Sequence, residues 1–172
     1  MAIQTFPLNE GEKTIIKELC VLDDKQPLDP MYYIFKPEFP FTKLSQTEQR
    51  QVAFITGQIH GLNWYEGEST FCATCIQRDI INTLGDEDDD DDCASTIQLS
   101  SIAEATKWDF HVAGQHTAAH LSAVFPKLRF IDCASDYRDL EDVGRHITCL
   151  HRAHGEHCAM RICYRLLKTF HI

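Results

Sequence analysis

The chain has 172 residues, 44% of them hydrophobic, which suits one globular domain large enough to bury a core. Its 16 Lys and Arg stand against 26 Asp and Glu, a formal charge of −10 that excludes a general phosphate-binding sponge. No apolar run is long enough to span a bilayer and no signal-peptide order opens the chain, so an intracellular location, cytoplasmic or nuclear, is expected, without a membrane partner. Eight cysteines are too sparse for a disulfide scaffold and read as core thiols with a metal-binding subset.

IIKELCVL (15–22) and MYYIF (31–35) read as strands, and the Pro- and Asp-rich turn between them predicts an antiparallel hairpin. KPEFPF (36–41) is expected to be extended, because two prolines oppose both helix and central strand. SQTEQRQVAFITGQ (45–58) opens with a Ser cap and a Glu three residues later, the capping-box signal of a short helix. IHGLNWYEG (59–67) is a Gly-bounded loop, and TFCATCIQRDIINTL (70–84) reads as a helix. The segment GDEDDDDDC (85–93) carries seven consecutive acids, whose mutual repulsion favours a disordered acidic loop insertion. Without those seven the formal charge is −3, which leaves room for a local basic face.

SSIAEATKWD (100–109) suggests another helix, followed by a short strand FHVAG (110–114). QHTAAHLSAVFP (115–126) is a helix that stops at Pro126, and LRFIDC (128–133) is a strand delivering Asp132. Between Gly155 and Phe170 the apolar residues Ala159, Ile162, Cys163, Leu166, Leu167 and Phe170 recur at helical spacing, while Arg161, Arg165 and Lys168 take the other face. Strands first, then a strand–helix–strand unit and a terminal helix, predict an α/β (α+β-like) fold. It would be a mixed β-sheet flanked by helices in a single domain over 1–172.

The chemistry concentrates in CLHRAHGEHC (149–158). Thiolate and imidazole are preferred zinc ligands, and a structural site closes a tetrahedron with four groups. Cys149, His151 and Cys158 would contribute, with His154 or His157 competing, and Glu18 or a second local histidine completing the set. Such a site would pin the final helix, and its binding energy would count as folding energy. The competing reading is core thiols with solvated histidines, and Cys163, on the apolar stripe, reads as core. Catalytic histidine without metal is the third.

Cys72 and Cys75 form a Cys-x2-Cys pair at the opening of an expected helix, a spacing for metal, for thiol exchange, or for idle thiols. No thioredoxin-like strand precedes it. His116 and His120 lie one helical turn apart and could face one ion or phosphate, although solvated or partly packed side chains are the plainer reading. Asp132 either presents a functional group or caps a turn. Trp64 and Tyr65 are candidates for stacking on an unpaired base, with local packing as the alternative. Arg145, Arg152, Arg161, Arg165 and Lys168 would make a modest basic surface with salt-sensitive phosphate contacts.

In their order, IIKELCVLDD (15–24), YYIFKPEFPF (32–41), ITGQIHGLNWYEG (55–67), FHVAGQHTAAHLSAVFPKLRFIDC (110–133) and HCAMRICYRLLKTF (157–170) resemble the 3′–5′ exonuclease domains of the RNase H-like fold. That family uses four carboxylates to hold two divalent ions. Here MAIQTF (1–6) has no acid on the opening strand, Thr117 lies near the second motif's Asp, and Arg161 and Ile162 occupy the neighbourhood of the last. Of the pattern only His157, at the opening of the final helix, remains. The resemblance therefore implies a broken two-metal centre.

Among relatives of this fold, the chain is most similar to the MAEL domain of Maelstrom, found in the transposon-silencing small-RNA (piRNA) pathway. That domain has a Glu-Cys-His-Cys zinc site. The resemblance would make Glu18, Cys149 and Cys158 ligands, with His151 and His154 straddling the expected histidine position, where this chain has Arg152. It implies a catalytically degenerate domain, structurally stabilised by zinc, that binds single-stranded RNA or a silencing-pathway protein, possible as a homodimer. One alternative is a non-enzymatic protein-interaction module of a viral or host complex, engaged through the acidic insertion. Another is a metal-independent or zinc-associated ribonuclease using His157 or His154 as acid–base.

Overall fold

The computed structural model describes residues 1–8, 13–26, 28–85, 108–134, 140 and 158–170. Over these the chain is mixed α/β. Strands β1 (Ala2–Leu8), β2 (Lys13–Val21) and β3 (Met31–Lys36) form an antiparallel meander, to which the two-residue β4 (Ser69–Thr70) adds in parallel beside β3. Strands β5 (Asp109–Ala113) and β6 (Arg129–Ala134) make a separate parallel pair. They are joined by α3 (Gln115–Val124), a helical crossover of the kind parallel strands require. The Met1 amine donates to the His111 carbonyl at 2.8 Å and so ties the start of β1 to β5.

Helix α1 (Gln46–Ile55) begins where the capping box foretells. Ser45 Oγ accepts from the Glu48 amide, and Glu48 Oε2 accepts from the Ser45 amide. The expected helix runs on as a π-helical turn, Thr56–His60, and stops at Gly61, whose φ of 73° suits a residue without Cβ. Helix α2 (Ala73–Gly85) starts three residues later than expected, because Ser69 and Thr70 are taken by β4. Asp109, read as the end of a helix, opens β5. The rest of that expected helix, 100–107, lies outside the described residues, as does most of the acidic insertion.

Three apolar clusters hold the layers. Leu19, Val21 and Phe35 pack with Ile80 of α2 and Leu121 of α3. Ala2 and Cys20 pack with Cys158, Ile162, Cys163 and Leu166 of α4 (Ala159–Phe170). Phe6, Leu8, Val52 and Trp64 close one end with α1. Strand β2 is buried on both faces, so its apolar alternation is nearly continuous.

Lys17 interrupts that alternation. In the β1–β2 ladder Gln4 faces Glu18 while Thr5 faces Ile16, so Lys17 is the extra residue of a bulge. The bulge resets the faces and aims the fully buried Lys17 at the loop after α1. Its Nζ donates to the carbonyls of Phe35 (2.7 Å), Trp64 (3.2 Å) and Glu66 (2.6 Å). Burial lowers its pKa from 10.5 to about 8, opposed by the Glu66 carboxylate. The loop is drawn so close to β3 that a Cβ on Gly67, at φ +121°, would lie 2.6 Å from the Phe35 carbonyl carbon.

We expect Lys17→Met to cost about 2–4 kcal/mol, because several buried carbonyls lose a charged donor. Gly67→Ala should also destabilise, through backbone strain and clash together. Urea midpoints at pH 7 measure both, and an unchanged midpoint for Lys17→Met would remove the amine from the framework.

Candidate functional site

Glu18 and Cys158 are 140 positions apart in sequence and meet in the interior. Glu18 follows the bulge, so it points away from the Lys17 loop and toward α4. Both residues are fully buried. The Cys158 thiol donates to Glu18 Oε1 at 3.3 Å, the Ala159 amide donates to Oε2 at 3.1 Å, and the Tyr32 hydroxyl donates to Oε1. Cys158 immediately precedes α4, and its carbonyl accepts the Ile162 amide at 3.0 Å, the first bond of the helix. Glu18 thereby caps that helix from across the sheet, placing negative charge where the helix dipole favours it.

The spacing also suits a metal. Ligands at about 2.3 Å (sulfur) and 2.0–2.2 Å (oxygen) around a tetrahedral zinc lie roughly 3.5 Å apart, close to the observed Sγ–Oε1 separation. Among the described residues no group of three His, Cys, Asp or Glu comes together. Cys149, His151, His154 and His157 lie outside the described residues, as do Arg145 and Arg152. Cys163 is core, as its place on the stripe indicates, with its thiol donating to the Cys20 carbonyl at 3.2 Å.

The opening of α4 borders a cleft of about 450 Å³. Its walls come from β1 (Ala2 to Thr5), from α3 (His116, Thr117 and His120) and from Ile162 of α4. None of the described residues lining it is Asp, Glu, Lys or Arg. His120 Nε2 is buried without a hydrogen-bond partner among the described residues, and burial pushes the imidazole below its usual range. Asp132 lies elsewhere in its role. Its Oδ1 accepts from the Gly114 amide at 3.0 Å and the Ala134 amide at 3.3 Å, pinning the turn from β5 into α3.

On α4, Arg161 and Arg165 are half-buried and Lys168 is exposed, at i, i+4 and i+7 of one stripe. The Arg165 guanidinium donates to the Leu140 carbonyl at 3.0 Å. The stacking expectation fails for Trp64. Its ring is 3% exposed, lies against Phe6, Phe39 and Phe41, and donates Nε1–H to the Phe39 carbonyl. Tyr65, at 60% exposure, is the member of the pair that faces solvent.

Lys17, Tyr32 and the cleft's Gln4 and Thr5 escape sequence reasoning. Only Lys17 leaves a trace there, as a cation inside an apolar run. No family model, curated protein or solved structure matches the chain.

Glu18→Ala should strip three donors of their acceptor and cost about 3 kcal/mol, with Tyr32→Phe losing about 1. Thermal or urea unfolding measures both. His120 resists protonation in the fold, whereas the unfolded chain takes up the proton near 6.5, so its contribution to stability is full above that value and declines as pH falls through it. Urea midpoints between pH 7.5 and 5.5 should fall less steeply in His120→Gln.

Proposed function

We propose that the chain is a catalytically degenerate domain of the RNase H-like exonuclease type, fastened by structural zinc, that binds single-stranded RNA. The observation that carries this reading is the cleft. The opening strand, the start of α3 and the first turn of α4 are the segments on which the exonuclease resemblance would put carboxylates, and they converge there. Threonine, glutamine, histidine and isoleucine stand in that place instead.

Two-metal hydrolysis needs oxygen ligands to neutralise charge on the attacking and leaving oxygens. A cleft whose described lining has no carboxylate would not hold those ions, and equally would not repel a phosphate backbone. Thr5, Gln4 and Thr117 offer neutral donors there, and Arg161, next in sequence to the cleft's Ile162, begins the basic face that α4 continues with Arg165 and Lys168. Glu18 and Cys158 would hold zinc together with ligands from 149–154, fixing the helix that bears this stripe. The likeness to the MAEL domain points to a small-RNA silencing pathway as the setting, with a pathway protein as the alternative partner.

Elemental analysis of the purified chain should find one zinc per molecule, lost in Cys149→Ser and Cys158→Ser but kept in Cys163→Ser. Fluorescence anisotropy with a single-stranded RNA should show salt-dependent binding. Replacing Arg161, Arg165 and Lys168 by Ala should flatten the salt slope by roughly two to three. Magnesium or manganese should support no cleavage. Metal-dependent cleavage would overturn the degenerate reading, and capture of a protein partner with no RNA signal at any salt would favour the interaction module.

A further inference from the structure

Outside this site, Cys72 and Cys75 make a second constellation. Their sulfurs lie 2.7 Å apart at the start of α2, and Cys75 is exposed. Cys72 takes the position of a helix cap. Its carbonyl accepts the Ile76 amide at 3.0 Å, and its sulfur accepts the Cys75 amide at 3.4 Å. The Thr74 hydroxyl is 3.3 Å from the same sulfur. The segment is held from below by Phe71, whose ring packs edge-on against Phe35 and Phe125.

Such surroundings stabilise a thiolate on one sulfur of the pair. The Cys75 thiol, the Thr74 hydroxyl and the Cys75 amide lower Cys72 to about 7, while Cys75 is raised, chiefly by its bond to Cys72. One sulfur is thus a nucleophile near neutral pH and the other a protonated reserve. A disulfide needs a sulfur separation of about 2.05 Å, so closure asks for a movement of less than an ångström.

We propose that Cys72 and Cys75 form a reversible dithiol–disulfide site that exchanges with low-molecular-weight disulfides of the glutathione type, Cys72 attacking and Cys75 resolving. The Cys72 thiolate attacks one sulfur of the small disulfide, forming a mixed disulfide and releasing one small thiolate. Cys75 then loses its proton to solvent and attacks the Cys72 sulfur, closing the protein disulfide and expelling the second thiolate. The small disulfide gains the two electrons that the cysteine pair gives up, and excess small thiol runs the sequence backwards.

The test uses the full chain in glutathione buffers of varied oxidised-to-reduced ratio, acid-quenched, alkylated and digested with trypsin. Both cysteines fall in the one peptide 51–78. As the ratio rises that peptide should stop taking up two alkyl groups and run two mass units below the unalkylated dithiol, and it should take up both groups again after reduction. In Cys75→Ser, glutathione should remain on Cys72. In Cys72→Ser, adduct formation at pH 7 should slow at least tenfold, with circular dichroism unchanged. The proposal is overturned if the peptide never forms the internal bond, if Cys75 carries the adduct in Cys72→Ser as readily as Cys72 does in Cys75→Ser, or if both thiols react only after a chelator removes a bound metal.

Discussion

Strand β2 carries two adjacent charged residues into the interior, and the two poles of the fold hang from them. Lys17 and Glu18 are fully buried, the first satisfied by three backbone carbonyls and the second by the Tyr32 hydroxyl, the Cys158 thiol and the Ala159 amide. A buried charge without partners costs several kcal/mol, so both groups specify where their partners must lie. The bulge allows neighbours in sequence to serve opposite ends. The lysine gathers the loop after α1, and the glutamate receives the first turn of α4. Register in β2 is therefore enforced by polar groups as well as by apolar alternation, since a one-residue slip would turn each charge toward the wrong element.

This division explains what the sequence makes legible. Period-two and period-3.6 patterns reveal β2, β3, β5, β6 and α1 to α4 within a few residues, because each carries enough apolar residues at its own spacing. The capping box at Ser45 and Glu48 is local chemistry and is read correctly for that reason. By contrast, β4 has two residues and no pattern of its own, and it exists because the Lys17 loop is pulled against β3. Trp64 illustrates the same limit. Its loop contains glycines and polar residues, the usual marks of a solvated turn, yet the indole fills a gap between β1 and the proline-rich segment.

The candidate site divides similarly. Glu18 enters the sequence reading as one option for completing a ligand set with Cys158 and again through the resemblance, and no property of either residue in isolation points to the other. Tyr32 completes the carboxylate's shell from β3, where strand alternation gives its face but no hint of its partner. The cleft is still less visible, since threonine, glutamine and isoleucine carry no motif. Its meaning comes from which segments meet there, a property of the fold and not of any short stretch.

The tight seat of Gly67 against β3 couples two positions that are distant along the chain. A side chain at 67 would lift the loop off β3, and the carbonyls of Trp64 and Glu66 would withdraw from Lys17, leaving it only that of Phe35. Loss of the glycine and loss of the lysine are therefore one defect reached from two ends.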